Sequence, residues 1–259
     1  MVEEIKQGHV KVEREHGIAT IEFFHPQGNS LPGQLLRALA KHIHSEGLNK
    51  ENKVIVLRSG GEKIFCSGAS FDELAAIGSQ EQGNHFFSGF AEVINAMRKT
   101  PQFIIARIQG KCIGGGVGLA AAADYAIATD GADIKLSELA VGIGPFVVGP
   151  AVQRKIGLAA FSEMTIDAGT WRHADWARRK GLFSEIHSST ELMDDAIIRL
   201  ANTLSHSSPE AMYEIKKMLW QGTEHWDQLL TERAAISGRL ILGDHSRQFI
   251  ASFKAKQKP

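Results

Sequence analysis

One stretch limits the folds open to this chain: Gly110-Lys111-Cys112-Ile113-Gly114-Gly115-Gly116-Val117-Gly118-Leu119-Ala120-Ala121-Ala122-Ala123-Asp124. The apolar run Phe103-Ile104-Ile105-Ala106-Arg107-Ile108 before it reads as a strand, and the alanines after it read as a helix. Strand, glycines, helix is a device that exposes backbone. Glycine has no Cβ, so a ligand can approach the main chain. The first amides of a helix lack intrahelical partners and sit at the positive end of its dipole. The stretch therefore suits an anion, standing or developing during a reaction. A P-loop would need Lys-Ser/Thr after the glycines, and here Val117-Gly118-Leu119 follows. A dinucleotide fingerprint counted from Gly114 would need glycine where Leu119 stands. An oxyanion hole and a tightly packed strand–helix junction both remain open.

The length of 259 residues suits one large domain, or one core with an appendage. With 29 basic and 29 acidic residues, net charge gives no support to nucleic-acid or membrane-surface binding. No apolar run reaches the roughly 20 residues that cross a bilayer. Met1–Lys6 has no apolar signal-peptide core, so a cytoplasmic protein is expected. The two cysteines, Cys66 and Cys112, are too few for a disulfide framework or metal cluster and read as buried thiols.

Read in order, the segment from His9 to Phe24 is a hairpin, with Val10, Val12, Ile18, Thr20 and Glu22 alternating around Glu15-His16-Gly17. Asn29-Ser30-Leu31-Pro32 opens a helix with Leu35, Leu36, Leu39 and Ile43 on one face. Val54–Leu57 is a buried strand. A turn, a short helix near Phe71–Leu74 and a longer helix over Gln80–Lys99 follow. After the glycines come a buried strand, Tyr125–Thr129, and a strand or turn over Asp133–Glu138. From Gly149 onward helical periods dominate. The expected organisation is an α/β core over residues 1–190 and a helical C-terminal region over residues 191–259.

Phe65-Cys66-Ser67-Gly68-Ala69-Ser70 is a second turn of the same kind. Two such turns on one sheet would place two backbone amides around one oxygen. At this point the chain resembles the crotonase superfamily, the enoyl-CoA hydratase/isomerase family. The likeness lies in the N-terminal hairpin, F-x-x-G-A at Phe65–Ala69, G-x-x-x-G-G-G-x-x-L-A-x-x-x-D at Gly110–Asp124, and Glu138. It continues through Pro145, Gln153-Arg154-Lys155-Ile156-Gly157 and the closing Phe253–Pro259.

The resemblance implies an α/β fold with a crotonase-like ββα spiral core and a helical C-terminal region for oligomerisation and pocket closure. It implies an acyl-CoA thioester substrate, with coenzyme A entering as part of the substrate and no separate cofactor or metal. Ala69 N–H and Gly115 N–H would form the oxyanion hole for a thioester enolate, with Gly68, Gly114, Gly118 and Phe146 contacting the substrate. The CoA end would lie over His25-Pro26-Gln27-Gly28 and the turn from Lys63 to Ala69. Lys63 and Lys256 would neighbour its phosphates, and Phe253 would pack on CoA. The family generally forms trimers, often paired into hexamers, so a homotrimer or hexamer is expected.

Hydratases of this family hold one water between two glutamates. Their first position is Gly118 here and their second is Glu138. A single glutamate is the pattern of the Δ3-Δ2-enoyl-CoA isomerase branch, since one carboxyl group moves one proton between two carbons. Where hydratases have a small glycine after Pro145, this chain has Phe146, then Val147 and Val148. Such groups would dry the water site and raise the pKa of Glu138. Glu138 is thus the expected catalytic residue. Ser70 and Tyr125 are the other polar groups near the motifs. Hydration, including of methylglutaconyl-type substrates, decarboxylation of acyl-CoA or acyl-carrier-protein substrates, and non-catalytic acyl-CoA binding stay as alternatives. His42, His44, His173, His206 and His245 read as surface residues, and Trp171 and Trp176 as core or interface packing.

Overall fold

The computed structural model describes residues 2–5 and 7–257, with side chains described for residues 7–255. Strands β1 (Val2–Ile5), β2 (Gly8–Glu15) and β3 (Ile18–Phe24) form an antiparallel meander. Pairing of Val10 with Phe23 and of Val12 with Ile21 sets its inner face. The expected hairpin is present, and its register decides which residues face the core. The buried residues of β3 are Ala19, Ile21 and Phe23, whereas Ile18, Thr20 and Glu22 face outward and are half-buried. Strand side chains alternate with period two, so choosing the wrong parity inverts a whole strand.

Helix α1 (Gly33–Leu48) buries Leu35, Leu36, Leu39 and Ile43 as its apolar stripe predicts. Three ββα turns follow. The first is β4 (Val54–Ser59), β5 (Ile64–Cys66), then α2 (Phe71–Ala76) and α3 (Gln80–Lys99). The second is β6 (Phe103–Ile108), β7 (Lys111–Ile113) and α4 (Gly115–Ala122). The third is β8 (Tyr125–Thr129), β9 (Ile134–Lys135) and α5 (Glu138–Val141). Each turn gives its longer strand to one sheet and its shorter strand to another. Beyond them lie α6 (Gly149–Ile166), α7 (Ala174–Lys180), β10 (Glu185–His187), α8 (Thr190–Ser205), α9 (Pro209–Leu219), α10 (Trp226–Leu240) and α11 (Asp244–Gln257).

The large sheet has the order β1-β2-β3-β4-β6-β8-β10, and the small one β5-β7-β9, parallel throughout. Strand β4 is buried on both faces. Val54 and Val56 meet Met193, Ala196 and Ile197 of α8, while Ile55 and Leu57 join the main core with α1 and α3. The helical C-terminal region therefore wraps back over the core: α8 covers one face of the large sheet, and α10 lies along α3. Helices α10 and α3 meet closely, since a Cβ on Gly83 would stand 2.7 Å from Gly238 Cα.

Two buried polar groups show what holds the layers together. Asp124, the last residue of the glycine motif, accepts from Ile104 N–H at 2.8 Å, Trp220 Nε1–H at 2.8 Å and Lys216 Nζ at 2.9 Å. Lys216 also donates to Met97 O at 3.0 Å and Gln102 O at 2.6 Å. Asp124 thus fastens α4 to β6 and to α9. On the other side, buried Glu46 accepts from Arg14 and Asn52. The expectation that His42 is a surface residue fails, because it lies on the inner face of α1. Its spacing from Leu39 and Ile43 puts it on the same helical stripe.

Candidate active site

The small sheet builds the site. Its three parallel strands run side by side, and each leads within a few residues to a helix N-terminus. Register pairs Cys66 with Cys112 and Ile113 with Lys135, so the chain leaves β5, β7 and β9 at one edge. Parallel sheets place their ligand sites beyond the carboxyl ends of the strands for this reason. Ala69 follows β5, Gly115 follows β7 and Glu138 follows β9. All three line one cavity.

At the first exit, Leu31 N–H donates to Gly68 O at 2.8 Å and Ser70 N–H to Leu31 O at 3.3 Å. In a parallel ladder this pairing turns the Ala69 amide to the opposite side. Gly68 has φ +85°, which favours glycine. Ser70 caps α2 by accepting from Glu73 N–H at 3.4 Å, so its hydroxyl is committed to structure. At the second exit, Gly114 has φ +52° and Gly115 is the first residue of α4, where no intrahelical partner exists for its amide. Among the described residues, neither the Ala69 nor the Gly115 amide donates to another backbone group. The two turns touch: a Cβ on Gly68 would lie 2.9 Å from Ile113 O and 3.4 Å from Gly115 N. The arrangement offers two unpaired amides to one acceptor.

At the third exit, Glu138 opens α5. Its carboxylate lies against Gly114, where a Cβ would stand 3.0 Å from Oε1. The residue keeps some exposure, but Oε2 is sealed from solvent and meets no hydrogen-bond partner. Burial, opposed only by a hydrogen bond from its own amide, pushes the carboxyl group up to about 7. Around it stand Phe71, Leu74, Phe87, Phe90, Val141 and Phe146. A carboxyl group titrating near neutrality beside an oxyanion-type pair can take a proton and return it.

Of the sequence-predicted residues, Glu138, Ala69, Gly115, Gly68, Gly114 and Phe146 share this cavity. Phe253 lies in an adjoining groove of about 490 Å3 with Gln27, Gly28, Ile64, Lys135 and Phe249. It stacks on Phe71 at 4.3 Å, and Lys254 pairs with Asp72 at 2.9 Å, holding α11 across α2. Cavity and groove share Ser67, Ala69, Phe71, Ser137 and Val141, so they form one path.

Two predicted residues fall elsewhere. Gly118 lines neither space and lies beneath Val148. Lys63 is exposed on its turn and lines neither; its carbonyl accepts from Lys111 N–H. Lys256 lies outside the residues whose side chains are described. Among the described residues the lysine in the groove is Lys135, with Nζ 4.5 Å from the Trp171 ring centre. Tyr125 bonds Glu185 at 2.9 Å under α8, away from the cavity. The sequence reading also missed Phe87 and Phe90, whose i, i+3 spacing on α3 marks a shared helix face, and Ser237 of α10.

The enoyl-CoA hydratase/isomerase family model matches residues 13–259. The chain belongs to this family. It is 31% identical over 264 aligned positions to the mitochondrial methylglutaconyl-CoA hydratase of Rattus norvegicus, covering 99% of this chain and 82% of that protein. It is 26% identical to the peroxisomal Delta(3,5)-Delta(2,4)-dienoyl-CoA isomerase of Arabidopsis thaliana, covering 89% and 87% respectively. An enoyl-CoA hydratase from Bacillus halodurans has the same fold, with TM-score 0.86, 21% identity and coverage of 94% of this chain and 99% of that one. Family and fold together make this an acyl-CoA enzyme of crotonase type.

Proposed function

We propose that this enzyme moves a double bond within an enoyl-CoA by a single shuttled proton. The thioester oxygen sits between Ala69 N–H and Gly115 N–H. The Glu138 carboxylate removes a proton from the carbon next to the thioester of a 3-enoyl-CoA. The electron pair delocalises onto the thioester oxygen, where the two amides and the N-terminus of α4 meet the new charge. Protonated Glu138 then returns the proton to the fourth carbon, leaving the double bond at carbons two and three. No water is consumed, and the base is regenerated. The rest of CoA runs through the groove past Gln27, Gly28, Lys135 and Phe253.

The observation that carries this reading is the packing at Gly118. A Cβ there would stand 2.4 Å from Val148 Cγ1, so the space a second carboxylate would enter is filled by a valine. Hydration is the second reading, favoured by the 31% identity to methylglutaconyl-CoA hydratase. The two amides and Glu138 would serve either reaction, but hydration also needs a held water. The test is a Glu138→Gln variant assayed with 3-enoyl-CoA, alongside calorimetric binding of a saturated acyl-CoA. Isomerisation should fall by at least about 100-fold, the lower range for general acid–base catalysis, with binding retained. Full activity of the variant would refute the assignment.

A further inference from the structure

Ser237 lies on α10 next to Gly238, where that helix comes closest to α3, and it is only 1% exposed. A serine or threonine in a helix can return its hydroxyl to the carbonyl four residues back. Thr203 does so to Arg199 O at 2.9 Å, and Thr231 to Asp227 O at 2.8 Å. Ser237 does not. Among the described residues its hydroxyl has no hydrogen-bond partner, yet the residue lines the cavity that holds Glu138. A hydroxyl open to the cavity can bond a ligand atom there in place of water. A ligand atom in the cavity would satisfy it.

The rest of the lining limits what that ligand atom is. Among the described residues no Lys, Arg or His lines the cavity, and the ionisable side chain in it is Glu138. A carboxylate on the acyl group would lose its hydration beside another carboxyl group, with no cation to offset it. The cavity encloses about 60 Å3. So small a space suits a short acyl tail.

We propose that the cavity selects a short, uncharged acyl group bearing a hydroxyl or carbonyl oxygen that hydrogen-bonds to Ser237. This rests on the acyl-CoA reading above and narrows its substrate class. It sets this chain apart from a handler of acidic acyl groups.

Saturated thioesters test it without turnover. Calorimetry on the full chain would compare CoA, butyryl- and valeryl-CoA, 4-hydroxybutyryl- and 5-hydroxyvaleryl-CoA, and succinyl- and glutaryl-CoA. At least one hydroxylated thioester should bind about 10-fold tighter than its unsubstituted match, the usual effect of a neutral hydrogen bond. The acidic ones should bind more weakly than the unsubstituted ones. In Ser237→Ala the hydroxyl preference should vanish, with the ratio returning to near one. Equal binding of hydroxylated and plain thioesters by the unaltered protein overturns the inference. So does a preference that survives in Ser237→Ala, or tighter binding of succinyl- or glutaryl-CoA. If neither CoA nor any thioester binds, the acyl-CoA reading falls as well; binding without discrimination overturns this inference alone.

Discussion

Val148 fills the space in front of Gly118, its Cγ1 only 2.4 Å from where a Cβ on that glycine would be. The two residues therefore act as a unit. Gly118→Ala should overpack the junction of α4 with the Gly144–Val148 loop and destabilise the protein by about 1–3 kcal/mol. Val148→Ala in the same chain should recover much of that loss. Urea unfolding of both single variants and the double variant measures the coupling. Additive losses would mean that the two side chains do not compete.

The buried carboxyl group of Glu138 makes both rate and stability depend on pH. As the base, Glu138 must be ionised, so isomerisation should rise with pH and level off above about 7. Stability runs the other way. The folded pKa, about 7, exceeds the ordinary glutamate value of 4.5. The stabilisation from the neutral acid is therefore complete below about pH 4.5 and is lost as pH rises through about 7. The difference is on the order of 3 kcal/mol across that window. Denaturant midpoints of the native protein and Glu138→Gln, taken from pH 4.5 to 8.5, should diverge in favour of the variant as pH rises. Parallel curves would show that Glu138 is solvated.

Lys216 is buried and donates to three oxygens, those of Met97, Gln102 and Asp124. Burial pulls its pKa down while Asp124 opposes that. Lys216→Met would strand the Asp124 carboxylate and should cost about 3–5 kcal/mol of stability. The steady-state KM of the folded variant should stay near the native value, since α9 does not line the cavity. A large change in KM with unchanged stability would contradict this structural role.

Apolar side chains stand exposed on α6 and α9: Leu158 at 64%, Ile166 at 77% and Met218 at 63%. If the homotrimer or hexamer implied by the family resemblance forms, sedimentation velocity should show three or six chains at micromolar concentration. A monomer at those concentrations would rule it out.

Much of this architecture is legible from residue pattern. The helix over Gln80–Lys99 and the strand over Phe103–Ile108 fall where periodicity predicts. Pattern fails where segments are too short to show a period. Strands β5, β7 and β9 have three, three and two residues, so the small sheet that aligns Ala69, Gly115 and Glu138 cannot be read from alternation. Strand β10 is hidden in the same way among helices. The glycine turns are legible because positive φ and close backbone approach leave few residues to choose from. Ser237 and the Phe87–Phe90 wall are not, since they reach the site only through packing of α3 and α10, far apart in sequence. Gly118 is legible as a missing carboxylate, but its partner Val148 emerges only from the fold.

On the proposed mechanism one carboxyl group moves one proton and no water adds. The direct measurement is product mass after incubation with a cis-3-enoyl-CoA in H2O and in D2O. A trans-2-enoyl-CoA of unchanged mass should form in H2O, with deuterium gained in D2O only through exchange at Glu138. A product heavier by one water, formed as fast as or faster than the isomer, would contradict it.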